Sequence, residues 1–200
     1  LGLQLRCGLD PRSELHRVQW ELYDDRCLWH PHPLDAISRR LLSSVIGGSA
    51  CGLGLGGLLI PERFGGAGLG LVDAALISEV LGESAAPGPF LGHTLAGLSI
   101  ALGGSDAQRA RWLGPLAAGG AIGTVAFEEA GGLVAPAGGG TEIRRGRVSG
   151  EKLRVPAAEL ADVIVVAGAA GQLALVAPEH AVRVAFEGSD RTRTLAGLRF

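Results

Sequence analysis

The chain has 200 residues and a mass of 20.4 kDa, room for one ordinary domain or two small ones. Lys and Arg number 18 against 20 Asp and Glu, a formal net charge of −2, which argues against a nucleic-acid binder with its basic stripe. Hydrophobic residues make up 47%, enough for a packed core and too many for global disorder.

Residues 1–52 hold Cys7, Cys27 and Cys51, two of the three Trp, the single Tyr and three of the five His, whereas all five Phe lie beyond position 63. No helical or alternating pattern persists there, and Pro11, Pro31 and Pro33 interrupt it. The segment fits either a divergent N-terminal helical piece or an out-of-frame stretch. Three cysteines without a CxxC pair favour a reducing, cytoplasmic setting over a disulfide framework. Arg6 and Asp10 interrupt any signal-peptide apolar core. The longest apolar run, residues 41–60, is broken by glycines and serines before Pro61 and does not read as a membrane span. No Met occurs, the first residue is Leu, and 17 of the 18 basic residues are Arg. These features read as a GC-rich coding sequence and an incomplete chain.

From Leu53 onward the pattern is orderly. Leu71, Ala75, Leu76, Ile77 and Val80 recur at helical spacing over 71–82, with Pro87 and Pro89 as stops. A second apolar helix is predicted over 90–102, ended by Gly103 and Gly104. Ser105 with Gln108 has the spacing of a capping box opening a third, closed by Gly119 and Gly120. Three short-looped helices are expected to pack as neighbours in a bundle. After Gly120 the period becomes alternating. Strands are predicted over 121–128, 141–148 and 151–155, the last two joined by a hairpin turn at Ser149–Gly150. Further strands are predicted over 162–167 and 172–177 around a small-residue turn, and over 181–186. Helices first and strands second is an α+β arrangement. The organisation is therefore a segment 1–52, a helical domain 53–120 and a β domain 121–200.

Three motifs fit poorly with chemistry. Gly52, Gly54 and Gly57 satisfy G-x-G-x-x-G, but Pro61 follows closely and no βαβ unit surrounds them. Cys27, His30 and His32 lack a fourth ligand at readable spacing, so no metal site is assigned. Arg144, Arg145, Arg147 and Arg154 form a basic patch across the predicted hairpin, either a solvated strand face or a contact for ligand phosphates.

The ordered series over 57–129 is more informative. Leu58-Leu59-Ile60-Pro61-Glu62 precedes Gly65-Gly66-Ala67-Gly68; Ser78-Glu79-Val80-Leu81-Gly82 and Ala86-Pro87-Gly88-Pro89-Phe90 follow. Then come Gly104-Ser105-Asp106-Ala107-Gln108, Trp112-Leu113, Leu116-Ala117-Ala118-Gly119 and Ala126-Phe127-Glu128-Glu129. This series resembles the N-terminal helical and middle β domains of the acyl-CoA dehydrogenase family. The resemblance extends through Ser149-Gly150-Glu151-Lys152, Ala161–Ala167 and Asp190-Arg191-Thr192-Arg193, and covers residues 57–200. It implies a β-barrel-like middle domain, FAD as cofactor, an acyl-CoA thioester as substrate and α,β-dehydrogenation with hydride transfer to the flavin. It further implies lipid metabolism of the β-oxidation type, an electron-transfer-flavoprotein-like acceptor and a homo- or hetero-oligomer.

The resemblance places the family's base, a Glu, in a C-terminal helical bundle beyond Phe200, so no catalytic residue is assigned here. It assigns flavin contacts to the backbone of Thr124, Ala126 and Val155. At neighbouring positions the chain departs from the family: Phe127 stands where a hydroxyl residue is usual, Arg154 where an aromatic shields the flavin, and Pro156 where a Thr or Ser follows. Ala130-Gly131-Gly132-Leu133 lacks the family's Ser. These departures leave three readings: an FAD-dependent acyl-CoA dehydrogenase seen as its first half, a non-catalytic partner subunit of a hetero-oligomer, or a truncated remnant.

Overall fold

A computed structural model describes residues 54–86, 88–130, 140–169, 171–186 and 193–200. All of them fall in one compact unit, Leu42–Phe200. The segment 1–52, with its Cys27/His30/His32 cluster and Gly52, lies outside the described residues. So do Pro87, Gly131–Leu133 and Asp190–Thr192.

Among the described residues three α-helices precede the strands: α1 (Leu71–Glu83), α2 (Phe90–Gly103) and α3 (Asp106–Ala117). The Asp73 carboxylate accepts the Gly70 N–H at 2.9 Å, which satisfies one orphan donor before α1. At α3 the expected capping box forms: Gln108 N–H donates to Ser105 Oγ at 3.3 Å, and Gln108 Oε1 accepts the Ser105 N–H at 2.8 Å. Arg109 from α3 reaches back to the last turn of α2, donating to Ala101 O at 3.0 Å and Leu102 O at 3.3 Å. A cation there satisfies orphan carbonyls and complements the helix dipole.

The bundle expected of the three helices is only half realised. Helices α2 and α3 pack together, α2 lies against β1 and β5, and Leu113 and Leu116 of α3 share a core cluster with Val163 and Val165, whereas α1 has no buried residue. Leu71, Val72, Leu76 and Val80 of α1 are exposed. Helical spacing reports that a face is apolar; it does not report what covers that face.

Eight strands follow among the described residues, and α+β is the observed class. β1 (Gly123–Ala126) pairs in parallel with β5 (Val163–Ala167), and β5 pairs antiparallel with β6 (Leu173–Val176). β2 (Glu142–Arg144) and β3 (Arg147–Ser149) form a separate hairpin. β4 (Glu151–Pro156) and β7 (Val182–Ala185) flank β8 (Leu195–Arg199), all antiparallel. The described strands thus form three small sheets rather than a closed barrel.

Two expectations about connections are corrected. The hairpin turn is at Arg145–Gly146, not at Ser149–Gly150. Both turn residues have positive φ, 52° and 75°, the backbone of a two-residue turn whose twist matches that of the strands. Gly150 instead carries the chain from one sheet to the next at φ 135°. A Cβ there would stand 2.7 Å from Thr141 Cα, so only glycine fits. The strand Leu195–Arg199 was not among the predicted ones.

The core has two main clusters, and β5 divides them. Val163 and Val165 face Ile60, Ala96, Ile100, Leu113 and Leu116; Ile164 and Val166 face Ala126, Val155, Val176, Ala196 and Leu198. Buried on both faces, β5 reads as the unbroken apolar run of a central strand.

Candidate functional site

The positions that the sequence singled out converge on the seam between β1 and β4. Thr124 is fully buried, and its hydroxyl donates to Pro156 O at 2.5 Å. Ala126 and Val155, fully buried or nearly so, lie together in the cluster under β5. Leu153 N–H donates to Glu128 O at 2.8 Å. These two bonds, one from a side chain and one from the backbone, tie the segment of β1 to that of β4.

Beyond that stitch the strand is not regular. The register of β4 against β8 shifts between Lys152 and Val155, and Arg154 sits at φ 49°. A bulge of this kind re-aims a side chain. The Arg154 guanidinium pairs with the Glu128 carboxylate and lies 6.0 Å from the Phe186 ring. Both members of the pair are partly exposed, 39% for the Arg154 side chain and 25% for Glu128. The basic patch expected across one hairpin is consequently split. Arg144, Arg145 and Arg147 sit on or beside the β2–β3 turn, Arg144 paired with Glu142 at 3.3 Å, while Arg154 belongs to another sheet.

A second ion pair lies close by, one residue after Glu128 and two residues before Arg154, and nothing in the sequence reading anticipates it. Lys152 is fully buried, its Nζ 2.6 Å from Glu129 Oε1 and 3.4 Å from Phe127 O. The Glu129 carboxylate also accepts Gly140 N–H at 2.6 Å and Thr141 N–H at 3.2 Å. Burial by itself would raise the Glu129 carboxyl, but the Lys152 ammonium and the bonds from Thr141 and Gly140 overcome it and bring it down to about 2. In the sequence Lys152 stands only at the end of the Ser149-Gly150-Glu151-Lys152 stretch; nothing there joins it to a carboxylate 23 residues earlier.

His93, on α2, was also missed. Its Nε2 stands 3.0 Å from Gly56 O and 3.2 Å from Leu116 O, and its Nδ1 accepts the Gly123 N–H at 3.3 Å. Two carbonyls at one nitrogen and an N–H at the other assign the neutral Nε2–H tautomer. Burial lowers its pKa against the pull of the two carbonyls. The signal available in the sequence was a lone His within an otherwise apolar helix.

Tested against an FAD, the side chains at this seam do not fit the contacts that the family resemblance implies. Phe127 offers no hydroxyl, Pro156 offers neither hydroxyl nor N–H, and Thr124 has already committed its own hydroxyl. A charged pair stands where a shielding aromatic is expected.

Residues 42–120 match the family model for "Acyl-CoA dehydrogenase, N-terminal domain". The chain is 44% identical over 117 residues to "Acyl-CoA dehydrogenase IpdE2" of Mycolicibacterium smegmatis, a match over 58% of this chain and 31% of that protein. Among solved structures it resembles "Tcur3481-Tcur3483 steroid ACAD G363A variant" at 28% identity and TM-score 0.69, over 93% of this chain and 49% of that one. It shares its fold with an acyl-CoA dehydrogenase complexed with FAD from Bacillus anthracis, at 24% identity and TM-score 0.65, over 94% of this chain and 33% of that one. Residues 42–120 thus carry an acyl-CoA dehydrogenase N-terminal domain, and the match of the chain spans about a third of the length of the curated relative. Among the described residues, no helix is long and apolar enough to cross a membrane.

Proposed function

We propose that the chain is the N-terminal helical and middle β portion, residues 53–120 and 121–200, of a cytoplasmic acyl-CoA dehydrogenase. Its reaction is FAD-dependent α,β-dehydrogenation of an acyl-CoA thioester in lipid breakdown, with an electron-transfer-flavoprotein-like acceptor. The observation that carries this reading is the motif series running from Ile60-Pro61-Glu62 through α1–α3 to Glu128 just beyond β1, laid out on the family's α+β fold. No residue of the chain is assigned a catalytic role. A flavin at this seam would be left with the backbone of Thr124, Ala126 and Val155. The test is acyl-CoA-dependent reduction of an artificial electron acceptor by the full-length protein, purified alone and with any co-expressed subunit. Reduction with at least one thioester class supports the reading; none in either preparation refutes it.

A second reading is favoured by the Glu128–Arg154 pair and by Phe127 and Pro156 beside it. Here the chain belongs to a non-catalytic subunit of a hetero-oligomer whose partner carries the flavin. This reading expects activity and bound flavin only in the co-purified complex.

A further inference from the structure

We infer that the Glu128–Arg154 pair, backed by Phe186, is an internal stopper at the β1–β4 seam, and that it bars FAD from this chain. The inference rests on the second reading above, in which a partner carries the flavin, and it counts against a flavin held at this seam by this chain itself. Arg154 reaches Glu128 because the bulge in β4 holds it at φ 49°. Positive φ is costly for a residue with a Cβ, and such a conformation persists only where the surroundings over-determine it. Here they do. The guanidinium meets a carboxylate and lies 6.0 Å from an aromatic ring, while Leu153 and Val155, its chain neighbours, are fixed, the first by Glu128 O and the second by the core.

The chemistry of the stopper opposes a flat apolar ring. Arginine is planar and stacks on an aromatic face, so it takes the same kind of space that a ring system would. Both charges keep part of their water, and a ring laid over them would strip that water without supplying a counter-charge. The neighbouring donors are already used: the Thr124 hydroxyl by Pro156 O and the Leu153 N–H by Glu128 O.

The experiment is titration of the full-length protein with FAD, read by quenching of flavin fluorescence and by co-elution in gel filtration. The wild type is expected to show no saturable binding. The double variant E128Q/R154G removes both charges and places glycine at the positive φ, and is expected to bind at least about tenfold tighter. A third protein, F127T/P156T, supplies hydroxyls but keeps the stopper, and is expected to bind as weakly as the wild type. Stoichiometric FAD on the wild type would overturn the inference. So would an unimproved E128Q/R154G that melts like the wild type, or tight binding by F127T/P156T. Dye reduction by a complex with a flavin-bearing partner would survive any of these results, so failure of the stopper and failure of the family reaction are read separately.

Discussion

Replacement of Lys152 by Met tests the account of the buried pair beside the seam most directly. The Lys152 ammonium is fully buried and 2.6 Å from Glu129 Oε1. Met fills a similar volume without charge, so the perturbation is electrical rather than a cavity. Leaving one member of a buried pair alone costs about 3–5 kcal/mol. Glu129 keeps two backbone donors, Gly140 and Thr141, which places the cost at the lower end, about 3 kcal/mol. For a unit of this size that lowers Tm by roughly 6–12 °C. The pH dependence supplies an internal check. The Glu129 carboxyl is depressed from 4.5 to about 2, so its contribution is complete above about 4.5 and is lost as pH falls toward 2. The gap between wild type and variant, measured by chemical denaturation, should narrow across that window. The double variant E129Q/K152M should recover to within about 1 kcal/mol of the wild type, because a matched neutral pair strands no charge. A K152M protein as stable as the wild type at pH 7, or a gap that does not change with pH, would refute the reasoning.

His93 should make stability fall as pH drops below its ordinary 6.5, because the unfolded chain takes up a proton that the buried, lowered imidazole refuses. H93F should remove that step from melts recorded between neutral and mildly acid pH, at a cost of about 2–3 kcal/mol for the partners it strands. Ser105→Ala should lose the cap of α3 and about 1 kcal/mol, seen as a lower denaturation midpoint with an unchanged slope. Gly150→Ala places a Cβ 2.7 Å from Thr141 Cα at φ 135° and should cost about 1–3 kcal/mol in the same assay; an unchanged midpoint would contradict the turn geometry.

What was readable in the sequence was whatever depended on neighbours along the chain. The Ser105–Gln108 box, the extents of α1 and α2, and the apolar run of β5 are local patterns, and they appear in place. The hairpin turn was missed because its first residue is Arg145, where Asn or Gly usually announces a positive φ. β8 was missed because Gly197 interrupts a short strand whose partners, β4 and β7, come from two different parts of the chain. The site divided in the same way. The departures at Phe127, Arg154 and Pro156 were visible as residue types. That Arg154 would close on Glu128, or Lys152 on Glu129, depended on a bulge and on pairing across more than twenty residues.

The same division explains how a family fold persists around altered cofactor positions. Besides the two ion pairs, three bonds between these segments end on main-chain atoms: Leu153 N–H on Glu128 O, the Thr124 hydroxyl on Pro156 O, and the Lys152 ammonium on Phe127 O. None depends on which side chain stands at 127, 154 or 156. Those three positions are therefore free to exchange hydroxyl for phenyl, aromatic for guanidinium and Thr for Pro while the strands keep their places. The fold reports descent, and the side chains of the seam decide what the descendant holds.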